Sequence, residues 1–101
     1  MKIWIDDIRV APEGYTWCKS VNEAKRKIEE MEEVGIVIEK ISLDHDAGDY
    51  ATDGGDFIKV LDWMEETGRA YPCRIHTANP VGHQNMMMVV QKNGWKLERD
   101  L

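Results

Sequence analysis

A chain of 101 residues, 43% apolar and carrying a formal charge of -6, has room for one modest core, so a single domain over residues 1–101 is expected. Its acidic balance argues against broad nucleic-acid binding, which depends on lysine and arginine against phosphates, and no run approaches the ~20 apolar residues of a membrane span. The N-terminal stretch reaches Asp6-Asp7 too early for a signal peptide, and Cys18 and Cys73 lack CxxC spacing, which suits buried thiols in a reducing, cytoplasmic setting.

Lys2 to Ile5 is a short apolar strand that stops at Asp6-Asp7. Ala11 to Gly14 forms a loop, and Tyr15 to Cys18 a second strand. Ser20 with Glu23 makes a capping box for a helix whose buried face is Ala24, Ile28 and Met31, ending at Gly35. Ile36 to Leu43 should contain a third strand, and Asp44 to Asp53 has the irregular composition of a loop. Thr52 or Asp53 is the expected cap of a second helix, with Phe57, Val60, Leu61 and Met64 facing inward and Thr67-Gly68 closing it. Pro72 to His76 contains a fourth strand. Asn79-Pro80 opens a third helix that runs to Asn93-Gly94, and Trp95 to Glu98 is expected to be a fifth strand.

Strands alternating with helices imply an α/β fold with a mostly parallel sheet and right-handed crossovers. The expected architecture is a flavodoxin-like three-layer sandwich with strand order 2-1-3-4-5. Only Asp6 to Gly14 separates the first two strands, so the first crossover helix should be reduced or absent.

In such sheets ligands bind beyond the carboxyl ends of the strands, where strand order reverses. Asp6 and Asp7 follow strand one, Asp44, His45 and Asp46 strand three, and His76, Thr77 and Asn79 strand four. The order 2-1-3-4-5 makes those three strands neighbours. Carboxylates gathered at one edge repel unless a cation joins them, and hard oxygen donors favour Mg²⁺ or Mn²⁺ over zinc. Asp6, Asp7 and Asp44 are the expected metal ligands. The helix opening at Asn79 would favour an anion beside them. His83 has no such support and is expected on the surface of the last helix. Strand neighbours point to opposite sides, which leaves open whether His76 or Thr77 faces the pocket.

The motifs resemble response-regulator receiver domains: Asp6-Asp7 at the end of strand one, Asp44 in the position of the phospho-accepting aspartate, and Thr77-Ala78 in that of the switch threonine. A closer likeness covers nearly the whole chain. Asp6-Asp7-Ile-Arg9, Ser42-Leu-Asp44-His45-Asp46, His76-Thr77-Ala-Asn79-Pro80-Val-Gly82 and Asn85-Met86 resemble the pattern of the cyclic-phosphate processing receiver domains. That resemblance implies metal-dependent hydrolysis of cyclic phosphates on RNA ends or nucleotides. It makes His76 a general acid or base, Asp46 a group orienting His45 or a water, and Arg9 a phosphate clamp. His45, Thr77 and Asn79 are implied contacts to the substrate phosphate. Asp44 is either a metal ligand or a nucleophile forming an aspartyl phosphate. The receiver lysine at the end of strand five has no counterpart beyond Lys96, inside the expected strand. The other function open to such a chain is that of a stand-alone phospho-accepting receiver or adaptor in signalling.

Overall fold

The computed structural model describes residues 1–99. Four strands, β1 (Lys2–Ile5), β2 (Tyr15–Cys18), β3 (Lys40–Leu43) and β4 (Cys73–Ile75), form one parallel sheet in the order β2-β1-β3-β4. Helices α1 (Val21–Glu33), α2 (Ile58–Glu66) and α3 (Pro80–Lys92) connect or follow them, with a 3-10 turn over Gly48–Thr52.

The caps follow the sequence closely at two helices. The Ser20 hydroxyl accepts from the Glu23 amide (3.1 Å), while the Glu23 carboxylate accepts from the Lys19 amide (2.8 Å), so two amides at the helix entry are satisfied reciprocally. Asn79 accepts from the Gly82 amide (3.0 Å) with Pro80 as the first helical residue of α3. The expected cap of α2 is different. Asp53 turns away from α2 and accepts from the Ser20 hydroxyl (2.6 Å) and the Asn22 side-chain amide (3.1 Å), tying the loop to the start of α1. Helix α2 begins at Ile58 without a side-chain cap. Two polar groups at α1 bind Asp53 more completely than one helix end of its own would.

The fifth strand is not formed. Leu97 makes a single parallel bridge to Cys73, with the Cys73 amide donating to the Lys96 carbonyl (2.9 Å) and the Glu98 amide to the Cys73 carbonyl (2.7 Å). The segment lies beside β4, where order 2-1-3-4-5 requires it, but β4 is only three residues long and supports one narrow pair.

The register separates the two sheet faces. Ile3, Ile5, Cys18, Ile41, Leu43 and Cys73 share one face, where they join Val21, Ala24, Ile28, Phe57, Val60, Leu61, Met64, Met86 and Val90 in one core. All three helices therefore pack on that side. Among the described residues, the opposite face carries Lys2, Trp4, Tyr15, Trp17, Lys40, Ser42 and Arg74 and no helix. The fold is thus two layers rather than the expected three. The β1–β2 connection is too short for the helix that would cover the second face, and its loop folds over the upper part of that face instead: the Trp4 indole donates to the Arg9 carbonyl (2.9 Å).

Away from the site, the Arg69 guanidinium clamps Glu32 through Nε and Nη2 (3.0 and 2.8 Å), and the Tyr71 hydroxyl also donates to Glu32. This joins the end of α1 to the approach to β4. The Arg69 bond, then the Tyr71 bond, outweigh burial and hold the Glu32 carboxyl below its ordinary value. A carboxylate depressed in the folded state stabilises above its unfolded pKa, and that contribution is lost as pH falls through the folded value. Glu32→Gln is expected to cost ~1 kcal/mol at neutral pH and to flatten the loss of thermal stability below about pH 4.5. Unfolding midpoints measured from pH 3 to 7 check both effects.

Candidate functional site

The carboxyl ends of β1 and β3 bring Asp6, Asp7 and Asp44 together, each with a carboxylate oxygen within 4.8 Å of the others. Asp6 is buried and the other two are half-buried. The Ile8 and Arg9 amides donate to Asp6 Oδ1, both at 2.9 Å, so the chain wraps this carboxylate immediately after the strand. Burial opposes ionisation of Asp6, but these amides and His76 outweigh it and hold the carboxyl below its ordinary value. Burial, with the charges of Asp6 and Asp44, pushes Asp7 the other way. Three oxygen donors in mutual repulsion, with no nitrogen or sulfur among them, fit a hard divalent cation such as Mg²⁺ or Mn²⁺.

A backbone close approach shapes this cluster. Gly48 has φ +54, and a β-carbon there would overlap Asp7 Oδ2. Beside the carboxylates lies a cleft of about 320 Å³ lined by Asp7, Arg9, Asp44, Asp46, Thr77 and Asn79, with Ile8, Gly48 and Ala78 completing the wall. The N-terminus of α3, the positive end of its dipole, forms the rim at Asn79.

The two histidines lie behind this wall, not in it. His76 is 4% exposed. An ionised Asp6 can only accept, so His76 Nε2–H donates to Asp6 Oδ2 (2.9 Å) and Nδ1 accepts from the Ser42 hydroxyl (2.8 Å). Its ring stacks on Trp4 at 3.8 Å and 5°, and its carbonyl accepts from Arg9 Nη1 (2.7 Å). Burial lowers the imidazole pKa, with Asp6 opposing, which keeps the ring neutral. The chain Ser42–His76–Asp6 has the connectivity of a hydrolytic triad, but Ser42 is fully buried and no substrate reaches it. The arrangement instead fixes the orientation of Asp6.

His45 Nδ1–H donates to the Asp46 carboxylate (2.8 Å), which also accepts from the Asn79 side-chain amide (3.3 Å). The His45 ring packs against Gly82 so closely that a β-carbon there would overlap it. Gly82→Ala is expected to displace His45, release Asp46 and cost about 2 kcal/mol by overpacking, read as a lowered midpoint in thermal unfolding.

Of the residues expected from the sequence, Asp7, Arg9, Asp44, Asp46, Thr77 and Asn79 line the cleft, and Asp6, His45 and His76 hold it from behind. It is Thr77 that lines the cleft, its hydroxyl accepting from the Asn79 amide (3.1 Å). Sequence reasoning gave no role to Ser42, which it named only within a motif, or to Trp4 and Gly48. Ser42 had a legible signal, a hydroxyl alone in an apolar strand that must find a buried partner.

The family model of the cyclic-phosphate processing receiver domain matches residues 1–92. The chain belongs to that family. No curated protein and no solved structure matches it. The receiver-like order of strands, the acidic cluster and the motif positions agree with that membership. Among the described residues, no helix is long and apolar enough to cross a membrane.

Proposed function

We propose that this protein hydrolyses a cyclic phosphate, on an RNA end or a nucleotide, with the help of a divalent cation. The observation that carries the reading is the convergence of Asp6, Asp7 and Asp44 on one edge of a cleft that also presents Arg9, Thr77 and Asn79. A cation held by the three carboxylates would supply a polarised phosphate and a water of lowered pKa. The protein's own groups do the rest. His76 and Ser42 hold Asp6 in one orientation. Arg9 and the α3 N-terminus offer positive charge to the phosphate oxygens, and Thr77 and Asn79 line the surface it would touch. Asp46, tethered by His45 and Asn79, orients the attacking water. In the reaction water attacks phosphorus, one ring P–O bond breaks, and the released hydroxyl takes the proton that water gives up. His76 is a positioning residue in this scheme, since both its nitrogens are engaged and its ring is buried.

Cys18 and Cys73 are both buried free thiols, which suits a reducing compartment such as the cytoplasm. The test is a ³¹P NMR time course with a 2′,3′-cyclic nucleotide and Mg²⁺. Metal-dependent ring opening is the expected result. No opening with Mg²⁺ demonstrably bound, together with tight binding of beryllofluoride, would replace this function by that of a phospho-accepting module.

A further inference from the structure

The second face of the sheet has the composition of neither an apolar core nor a mixed-charge solvent face. Its strand residues are Lys2, Trp4, Tyr15, Trp17, Lys40, Ser42 and Arg74: aromatic and cationic groups, with no carboxylate and no aliphatic side chain. Tyr15 and Trp17 are half-buried, Lys2 is exposed and Lys40 half-buried, so both ring systems and both ammonium groups reach the surface. Lys2 and Lys40 stand 5.5 and 6.0 Å from the Tyr15 ring centre, and Lys19 stands 4.5 Å from that of Trp17. Trp4 lies beneath, edge-on to Tyr15 at 5.8 Å, and props that ring.

The alternation of side chains links this face to the cleft. Continuing the strands by two residues carries the face from Trp4 to Asp6, from Ser42 to Asp44, from Arg74 to His76 and from Trp17 to Lys19. The carboxylate cluster thus sits at the upper end of the aromatic face. The Trp17 indole is tied to that end by donating to the Asp6 carbonyl (2.7 Å).

We propose that this face binds a short stretch of single-stranded RNA, roughly three nucleotides, whose end runs up into the carboxylate cleft. Bases stack on aromatic side chains without regard to sequence, and lysines beside the rings meet the phosphates. A helix from a partner protein would need aliphatic surface, and the strand residues of this face offer none; the exposed Ile8 and Val10 belong to the β1–β2 loop at its upper part. The strand residues of this face carry no carboxylate, and Asp6, Asp7 and Asp44 stand only at its upper end, where a cation would offset their charge. The ribose follows from the function proposed above, because a 2′,3′-cyclic phosphate requires a 2′-hydroxyl; binding to the face rests on the side chains alone.

The test is fluorescence anisotropy with a labelled hexauridylate ending in a 3′-hydroxyl, in EDTA, so that neither metal nor reaction contributes. Wild-type protein is expected to bind with a salt slope of about -2, the release expected for about three phosphate contacts to a single strand. Tyr15→Ala is expected to weaken binding by about tenfold. Lys2→Gln with Lys40→Gln should halve the slope or more. Turnover of a cyclic mononucleotide by these variants should stay at the wild-type rate. Absence of wild-type RNA binding, or binding unchanged in all variants, overturns the proposal while leaving mononucleotide hydrolysis intact. A dimer in sedimentation that the same substitutions dissolve would give the face to a second copy instead. RNA binding without turnover of any cyclic phosphate would keep the platform and remove the hydrolytic function.

Discussion

Asp44→Asn is expected to lower kcat/KM for cyclic-phosphate hydrolysis by about a thousandfold while leaving the protein as stable or more so. The loss follows from taking one of three anionic donors from the cation, whose stabilisation of transition-state charge amounts to several kcal/mol, at about 1.4 kcal/mol per tenfold in rate. The gain follows from the same charge. Asp44 helps push the Asp7 carboxyl up, and without it the repulsion among Asp6, Asp7 and residue 44 falls. Asparagine keeps the Oδ1 acceptor that the His45 amide uses (2.8 Å), so the local fold is retained. Opposite signs in activity and stability mark a site whose strain serves its chemistry. Steady-state kinetics and thermal unfolding in EDTA read the two. Full activity in the variant would remove Asp44 from the mechanism, and a large loss of stability would mean that its role is structural.

His76→Ala is expected to behave in the reverse manner, with stability the first casualty. It removes the partner of a carboxylate whose side chain is 1% exposed. Losing the neutral ring's hydrogen bond to a buried carboxylate costs about 1.5–3 kcal/mol, and the cavity left by the ring adds to it, for about 3 kcal/mol in all, while two amides still serve Asp6. For a domain of this size the unfolding midpoint should drop by about 15 °C. Loss of the Trp4 stack adds to the effect. Ser42→Ala, which strands only the His76 Nδ1 acceptor, should cost less, about 1–2 kcal/mol. Equal costs for the two variants would show that the Ser42 bond, rather than the bond to Asp6 or the Trp4 stack, carries the contribution of His76.

Local signals in the sequence were legible where one segment decides them. The Ser20 and Asn79-Pro80 caps need only a few neighbouring residues, and both formed as expected. The parallel sheet followed from alternation of elements, and the flavodoxin-like strand order expected with it brought the three carboxylates to one edge. What escaped depends on partners distant in sequence. Asp53 looks like a cap for the helix after it, but Ser20 and Asn22, more than thirty residues earlier, bind it first. His76 looks like an available acid or base, and only the register of β3 against β4 reveals Ser42 beside it. The fifth strand failed for want of length in its neighbour, not for want of strand-forming residues. The missing layer could be inferred from the short β1–β2 loop, yet the aromatic and cationic character of the bared face became visible only once register assigned each residue to a side.

The central position of β1 has a consequence for how the site comes into being. Both neighbours of β1 follow it in the chain, and the second, β3, begins at Lys40. Asp6 and Asp7 therefore have to wait for Asp44 to arrive across a closed loop of more than thirty residues, and for His76 to arrive across a longer one. Such non-local parallel pairing is slow to nucleate. The three carboxylates cannot stand at ligand spacing before β3 docks on β1, so affinity for a divalent ion should appear no earlier than that step. A paramagnetic ion such as Mn²⁺ added during refolding would then act as a clock for the β1–β3 pairing.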